Sequence, residues 1–208
     1  MSRRAIALVL TLVASLAFVS LAGAQNVSKD PAHAPKGAYQ LDTNHSQLLF
    51  SVLHTGLIDY YGRFDKLSGT LNFDANEPEK SAVSIAIDTA SIDTPSERLV
   101  GQLKGPDVFD TQQFPTATFK STSIVRTGPD TGRITGDLTL RNVTKLVTLD
   151  VTFSGGQQSP MSNAYALGFK GTATIKRSDF NLTAMPWSPF VSDDVKLIVV
   201  ALFNQEKN

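Results

Sequence analysis

Alternation of apolar and polar positions governs most of the chain after Tyr39. Leu48, Phe50 and Val52 share one parity, and His54 continues it to the end of that run. Leu67, Gly69, Leu71 and Phe73 form the next face, and Val83, Ile85 and Ile87 give the clearest alternation in the sequence. The pattern returns in Ala117, Phe119 and Ser121, then in Ile134, Gly136, Leu138 and Leu140. Val147, Leu149, Val151 and Phe153 follow, then Leu167, Phe169, Gly171, Ala173 and Ile175. Residues 195–203 close the chain and are apolar on both faces for most of their length. A helical turn is expected within 56–61, and residues 177–194 read as irregular. Turn chemistry separates the runs: Gly128-Pro129-Asp130-Thr131-Gly132, Arg141-Asn142 and Gly155-Gly156. About eight short strands joined by tight turns predict an all-β chain, an antiparallel barrel or sandwich.

Residues 91–119 interrupt that rhythm. Ser96 is placed as an N-cap, and Leu99, Val100 and Leu103 recur at helical spacing. Gly105-Pro106 ends that turn, and Asp107 is expected to start another that closes at Phe114-Pro115. A helical insertion in a β chain serves either as a lid plugging an open sheet edge or barrel end, or as a wall of a ligand site. Glycine and alanine at Gly69, Gly136, Gly171 and Ala173 share parities with aromatic residues. Small residues there let a sheet bend or leave room inside it.

Charge changes the picture by exclusion. Lys and Arg number 19, as do Asp and Glu, with no basic cluster, so nothing attracts nucleic acid or an anionic membrane surface. Arg3-Arg4, an uncharged run over residues 5–21 and Ala22-Gly23-Ala24 compose a signal peptide over residues 1–24. Its cleavage takes the formal charge from 0 to −2 and leaves no stable membrane insertion. An uncleaved anchor is the alternative, though the run falls short of the ~20 residues a spanning helix wants. Residues 25–37, polar and proline-bearing, read as a flexible tether, and residues 38–208 as one domain. The chain has no cysteine, which rules out thiol catalysis and cysteine-ligated metal.

Candidate chemistry is sparse. Asp42, His45 and Ser46 bring an acid, an imidazole and a hydroxyl together, but no nucleophile elbow is present. Their spacing suits a strand-entry turn in which Asp42 and Ser46 bond local amides. His33, His45 and His54 are the only imidazoles, too few and too scattered for a metal site. Arg98 and Lys104 stand apart from the other lone cations because they lie on the helical insertion, where a cation can meet an anionic head group.

Tyr39-x-Leu41-Asp42-x-x-His45-Ser46-x-Leu48-x-Phe50-x-Val52-x-His54, then Gly62-x-Phe64, resembles the opening of the YceI-like family. Ser91-Ile92-Asp93-Thr94, Val108-Phe109-Asp110, Phe114-Pro115-x-Ala117-x-Phe119, Gly136-Asp137-Leu138-Thr139, Val143-Thr144-Lys145 and Arg177-Ser178-Asp179-Phe180 follow in that family's order. The resemblance runs from about Tyr39 to Phe203. It implies an eight-stranded antiparallel lipocalin-like barrel with a short helical insertion. It also implies a soluble periplasmic protein that holds a long isoprenoid or similar amphiphile in an elongated apolar cavity, and relatives that include homodimers. Three positions depart from the family pattern: Gln102 stands where a His is common, and Asn142 and Asn181 where Gly is common.

Together these readings predict a non-enzymatic carrier with no cofactor beyond a bound isoprenoid-type lipid, polyprenyl or quinone-like. Its expected wall is Leu48, Phe50, Val52, Leu71, Phe73, Val83, Ile85, Ile87, Phe119, Leu138 and Phe169, with the inward parity taken from the family pattern. Leu99, Leu103 and Phe109 are expected near the mouth, with His54, Arg98 and Gln102 near the lipid head. With the family order around it, the insertion is read as a lid and cavity wall. An enzyme acting on a lipophilic substrate and a ligand-free interaction module with a filled barrel are the alternatives.

Overall fold

The computed structural model describes residues 26–160 and 162–206. The expected signal peptide lies outside the described residues. Each alternating run becomes a strand, because period-two patterning gives a sheet one apolar face to bury. In order these are β1 (Gly37–Leu41), β2 (Gln47–His54), β3 (Ile58–Phe64), β4 (Leu67–Phe73), β5 (Ala82–Asp88) and the two-residue β6 (Ile92–Asp93). After helix α1 (Glu97–Lys104) come β7 (Thr116–Arg126), β8 (Thr131–Leu140), β9 (Val143–Gln158), β10 (Tyr165–Lys176) and β11 (Val191–Gln205).

Every pairing is antiparallel, and eight strands close on themselves in the order β1-β4-β5-β7-β8-β9-β10-β11, with β11 returning to β1. The long β11 serves two partners. Phe203 pairs with Leu41 of β1, while Val195 pairs with Val52 of β2, so β1 and β2 form one broken stave. The break has a local cause. Asp42 accepts from the amides of Asn44 and His45 at 3.0 and 3.2 Å, and Ser46 Oγ takes the Leu202 amide at 3.1 Å, replacing ladder bonds. Beyond the break, β2 and β3 extend the wall past the closed ring. The outer edge of β3 is paired only at Arg63 and Phe64, by β6. The chain from Thr89 to Pro115, carrying α1, connects that edge to β7.

Packing divides the barrel in two. At the end bearing the β4–β5 and β7–β8 turns, Phe169 lies 5.4, 6.1 and 6.2 Å from the rings of Phe153, Phe203 and Phe73, and Tyr39 stands edge-on to Phe73. Tyr39, Leu167 and Phe203 are almost wholly buried there. This half is solid, apart from a cavity of about 110 Å³ beside Phe73 and Phe169. At Gly136 glycine serves close approach rather than room. A Cβ at Gly136 would sit 2.6 Å from the Phe119 ring and 2.4 Å from the Lys120 carbonyl oxygen.

Three local expectations are corrected. Residues 56–61 form no helical turn, because positive φ at Thr55 and Gly56 (+53° and +73°) reverses the chain early and lets Ile58 pair with His54. The expected second turn after Asp107 is present as hydrogen-bonded turns up to Phe114, and Asp110 at φ +45°, outside right-handed helical space, keeps them from forming a helix. The irregular segment ends at Phe190 rather than Asp194. It contains two 3₁₀ turns, Arg177–Phe180 and Ser188–Phe190. The described part of the expected tether is tied down: Ser28 exchanges two backbone bonds with Gly156, Tyr39 Oη donates to the Pro35 carbonyl at 2.6 Å, and Lys36 pairs with Asp74 at 2.6 Å.

Candidate functional site

The other half of the barrel is open. A cavity of about 570 Å³ lies between β2, β3, α1 and the segment 177–191, within the range of small-molecule sites. Leu48, Phe50, Val52 and His54 reach it from β2, since a strand sends alternate side chains to one face. Ile87, Ala117, Leu138 and Leu140 bound it below, and Ile175, Val195 and Leu197 complete the far wall.

Helix α1 forms the side that the sheet leaves unpaired. Ser96 caps it, its Oγ accepting from the Leu99 amide at 3.3 Å, and Gly105 ends it. The capped register turns Leu99 and Leu103 inward, with Leu103 buried and Arg98 and Gln102 on the cavity rim. Phe109 stands edge-on to Phe64 at 5.6 Å and Phe64 lies 5.8 Å from Phe50, so rings join the lid to the β2–β3 wall.

Charged residues in the lining are few and of one sign. No Asp or Glu lines the cavity, whereas Arg98 and Arg177 do. The side chains of His54, Arg98 and Gln102 make no hydrogen bond or ion pair with another described residue. Arg177 is fully engaged. Its guanidinium donates to the carbonyls of Ser192, Leu182, Ser188 and Val191 at 2.8–3.2 Å and to Ser188 Oγ, holding the 177–191 segment over the mouth.

Eleven of the expected contacts therefore border one cavity: Leu48, Phe50, Val52, His54, Ile87, Arg98, Leu99, Gln102, Leu103, Phe109 and Leu138. Six lie elsewhere. Leu71, Phe73 and Phe169 border the small cavity at the solid end, and Val83, Ile85 and Phe119 border neither. The reason is direction. Strands β4 and β5 meet at the solid end, so of the two only Ile87, at the far end of β5, reaches the open half. Sequence reasoning missed Ile58, Tyr60, Leu182 and Trp187. For Trp187 a signal existed: residues 184–192 carry no charge and several large apolar side chains.

Asp42 accepts from local amides in a turn, as read, whereas Ser46 bonds Leu202 of the distant β11 and not a local amide. His45 Nδ1 lies 3.0 Å from Asp42, and Ser46 Oγ donates to the Leu202 carbonyl while accepting the Leu202 amide. Burial alone would raise the Asp42 carboxyl, but His45, the Asn44 amide and Asn204 together hold it below its ordinary value. Among the described residues no group of three or more His, Asp or Glu could hold a metal ion.

Residues 39–203 match the YceI-like domain. The chain belongs to the YceI-like family. A UPF0312 protein of Ectopseudomonas mendocina (strain ymp) is 38% identical over 164 residues, covering 79% of this chain and 82% of that protein. The crystal structure of Burkholderia cenocepacia BcnA superimposes with a TM-score of 0.71 at 27% identity, covering 78% of this chain and 98% of that one. A polyisoprenoid binding domain from Saccharophagus degradans, implicated in plant cell wall breakdown, shares the fold at a TM-score of 0.63 and 19% identity, over 83% and 100% of the two chains. Within the YceI-like pattern, Asn181 replaces the common Gly at φ +59°, a conformation Asn tolerates better than most side chains. At the other Gly-to-Asn site the positive φ belongs to the preceding Arg141 (+56°).

Proposed function

We propose that this YceI-like protein is a non-enzymatic, exported carrier that holds a long-chain isoprenoid or similar amphiphile in the open half of its barrel. The observation that carries the reading is the 570 Å³ cavity walled mainly by aliphatic and aromatic side chains, with the unengaged side chains of His54, Arg98 and Gln102 on its rim. A chain buried there gains roughly 0.8 kcal/mol per CH₂ before ordering costs. Tight holding thus needs no strong polar anchor. Leu48, Phe50, Val52, Ile87, Leu99, Leu103, Phe109 and Leu138 contact the tail, while His54, Arg98 and Gln102 meet the head. Carboxylates are absent from the lining, which suits a head rich in hydrogen-bond acceptors, such as a phosphate or a quinone carbonyl. The name of the Saccharophagus degradans domain agrees with this ligand class. The engaged Ser46 hydroxyl offers no nucleophile, which supports a binding role over a hydrolytic one.

Export follows from residues 1–24, and the periplasm is the compartment proposed. The test is organic extraction of the protein purified from the periplasmic fraction, followed by mass spectrometry. One long-chain lipid per barrel is expected. Protein that is recovered from the periplasm and repeatedly yields no lipid would sink the carrier reading.

A further inference from the structure

Exposed apolar side chains on this protein are mostly isolated, as on any soluble surface, with one exception. Leu57 is 81% exposed, Phe190 59%, Ile58 58% and Leu53 42%, and the four cluster on the β2–β3 turn with its flanking strand ends and on the adjoining 3₁₀ turn, at the cavity mouth. The two are bonded together: the Thr55 amide donates to the Phe190 carbonyl at 2.7 Å, and the Leu53 amide to Ser192 Oγ at 3.0 Å. Residues 55–57 lie beyond the last rung of both neighbouring ladders, at His54–Val191 and His54–Ile58. They therefore form the tip of that edge of the barrel.

Charge sets the tip apart. No residue from 53 to 58 or from 184 to 192 is an acid, a lysine or an arginine. The opposite end differs, with Asp74, Glu77, Glu79 and Lys80 in one turn and Arg126 and Asp130 in another. The apolar surface is also continuous with the cavity, since Ile58 belongs to both and Val191 follows Phe190 into the lining.

We propose that Leu53, Leu57, Ile58 and Phe190 dock reversibly into a lipid bilayer, so that a ligand passes between membrane and cavity without crossing water. The proposal rests on the carrier reading for what is transferred, though not for the docking itself. A hydrocarbon interior accepts uncharged apolar side chains and rejects charged ones, which matches this tip. A second copy of the chain fits less well. A stable interface takes about 20–30 residues a side, far more than two loop tips supply.

The test uses the chain beginning at Gln25, the predicted mature terminus, because every barrel pairing lies within the described residues. Vesicles of phosphatidylethanolamine and phosphatidylglycerol are loaded with a dansyl-labelled farnesol. The parent protein is compared with the double variant Leu57→Asp/Phe190→Asp, and with Leu57→Gln as a milder control. Neither residue lines the cavity. The parent should co-sediment with vesicles at low and high salt, and its rate of probe uptake should rise in proportion to vesicle concentration. The double variant should lose co-sedimentation by about tenfold or more per side chain, with its affinity for probe in solution unchanged. Uptake by the variant should no longer depend on vesicle concentration.

Equal co-sedimentation of parent and variant would overturn the proposal, as would parental binding that high salt abolishes. Parent that ignores vesicles but sediments as a dimer dissolved by the substitutions would make the occupant a second copy, and the proposal would fall. If neither protein binds the probe in solution, the carrier reading fails, while vesicle co-sedimentation still decides the docking.

Discussion

Single side chains set the pH limits of this barrel from both directions. Asp74 is held below the ordinary carboxylate range chiefly by its bond to Lys36, with the amides of Glu77 and Asn76 adding to it. Asp193 is lowered in the same way, first by the Ser178 hydroxyl. A carboxyl depressed in the folded state adds stability above its unfolded value of ~3.9 and loses it as pH falls through the folded value. Tyr39 acts at the other end. Burial pushes its phenol up to about 12, so its contribution is complete below the unfolded value of ~10 and is lost as pH rises toward 12. Urea midpoints measured across pH should therefore fall below pH ~4 and again above pH ~10. Asp74→Asn should flatten the acid limb and also part of the alkaline one, because the Asp74 carboxylate raises Lys36, whereas Tyr39→Phe should flatten the alkaline limb alone. Unchanged limbs in both variants would show that other groups set them.

At the scale of elements, the lid is the least secured part of the wall. Helix α1 has only eight residues and depends on its cap and two inward leucines. Gly101 lies in the middle of it, where an added Cβ would meet nothing within 4 Å. Gly101→Ala should stabilise the lid by about 0.5–1 kcal/mol, and Ser96→Ala should weaken it by about 1 kcal/mol. Hydrogen exchange of residues 97–104 reads both changes. Release of bound lipid should slow in the first variant and quicken in the second; no change in either would place the exit elsewhere. The lid helix was legible in the sequence because Ser96, Leu99, Leu103 and Gly105 state its cap, face and end in local terms. Strands were legible for the same reason. The turn at Thr55 was not, since a positive φ at Thr runs against its propensity and is imposed by the β2–β3 ladder. Segment 177–191 was opaque too. It is organised by the five hydrogen bonds of Arg177, none of which leaves a periodic mark.

The whole molecule spends one half of its interior on packing and leaves the other half free, and alternation alone does not reveal that division. Phe50 and Phe169 occupy equivalent inward positions on their strands, yet one borders the large cavity and the other sits among three rings. What separates them is height along the barrel, fixed by strand lengths and by the early end of β5 at Asp88. If the solid half carries stability and the open half carries ligand, substitutions in the two should part cleanly. Phe153→Ala, in the solid half, should cost about 3–5 kcal/mol in denaturant unfolding while the surviving folded protein keeps its lipid. Ala117→Phe points new bulk from the buried floor of the large cavity into open space. It should leave the unfolding midpoint of lipid-free protein unchanged or higher, because the ring fills volume that no side chain occupies. Extracted lipid per barrel should drop sharply in that variant. Retention of lipid by Ala117→Phe, measured by extraction and mass spectrometry, would move the ligand out of this cavity. Loss of lipid by both variants in proportion to their stability would mean that the two halves act as one.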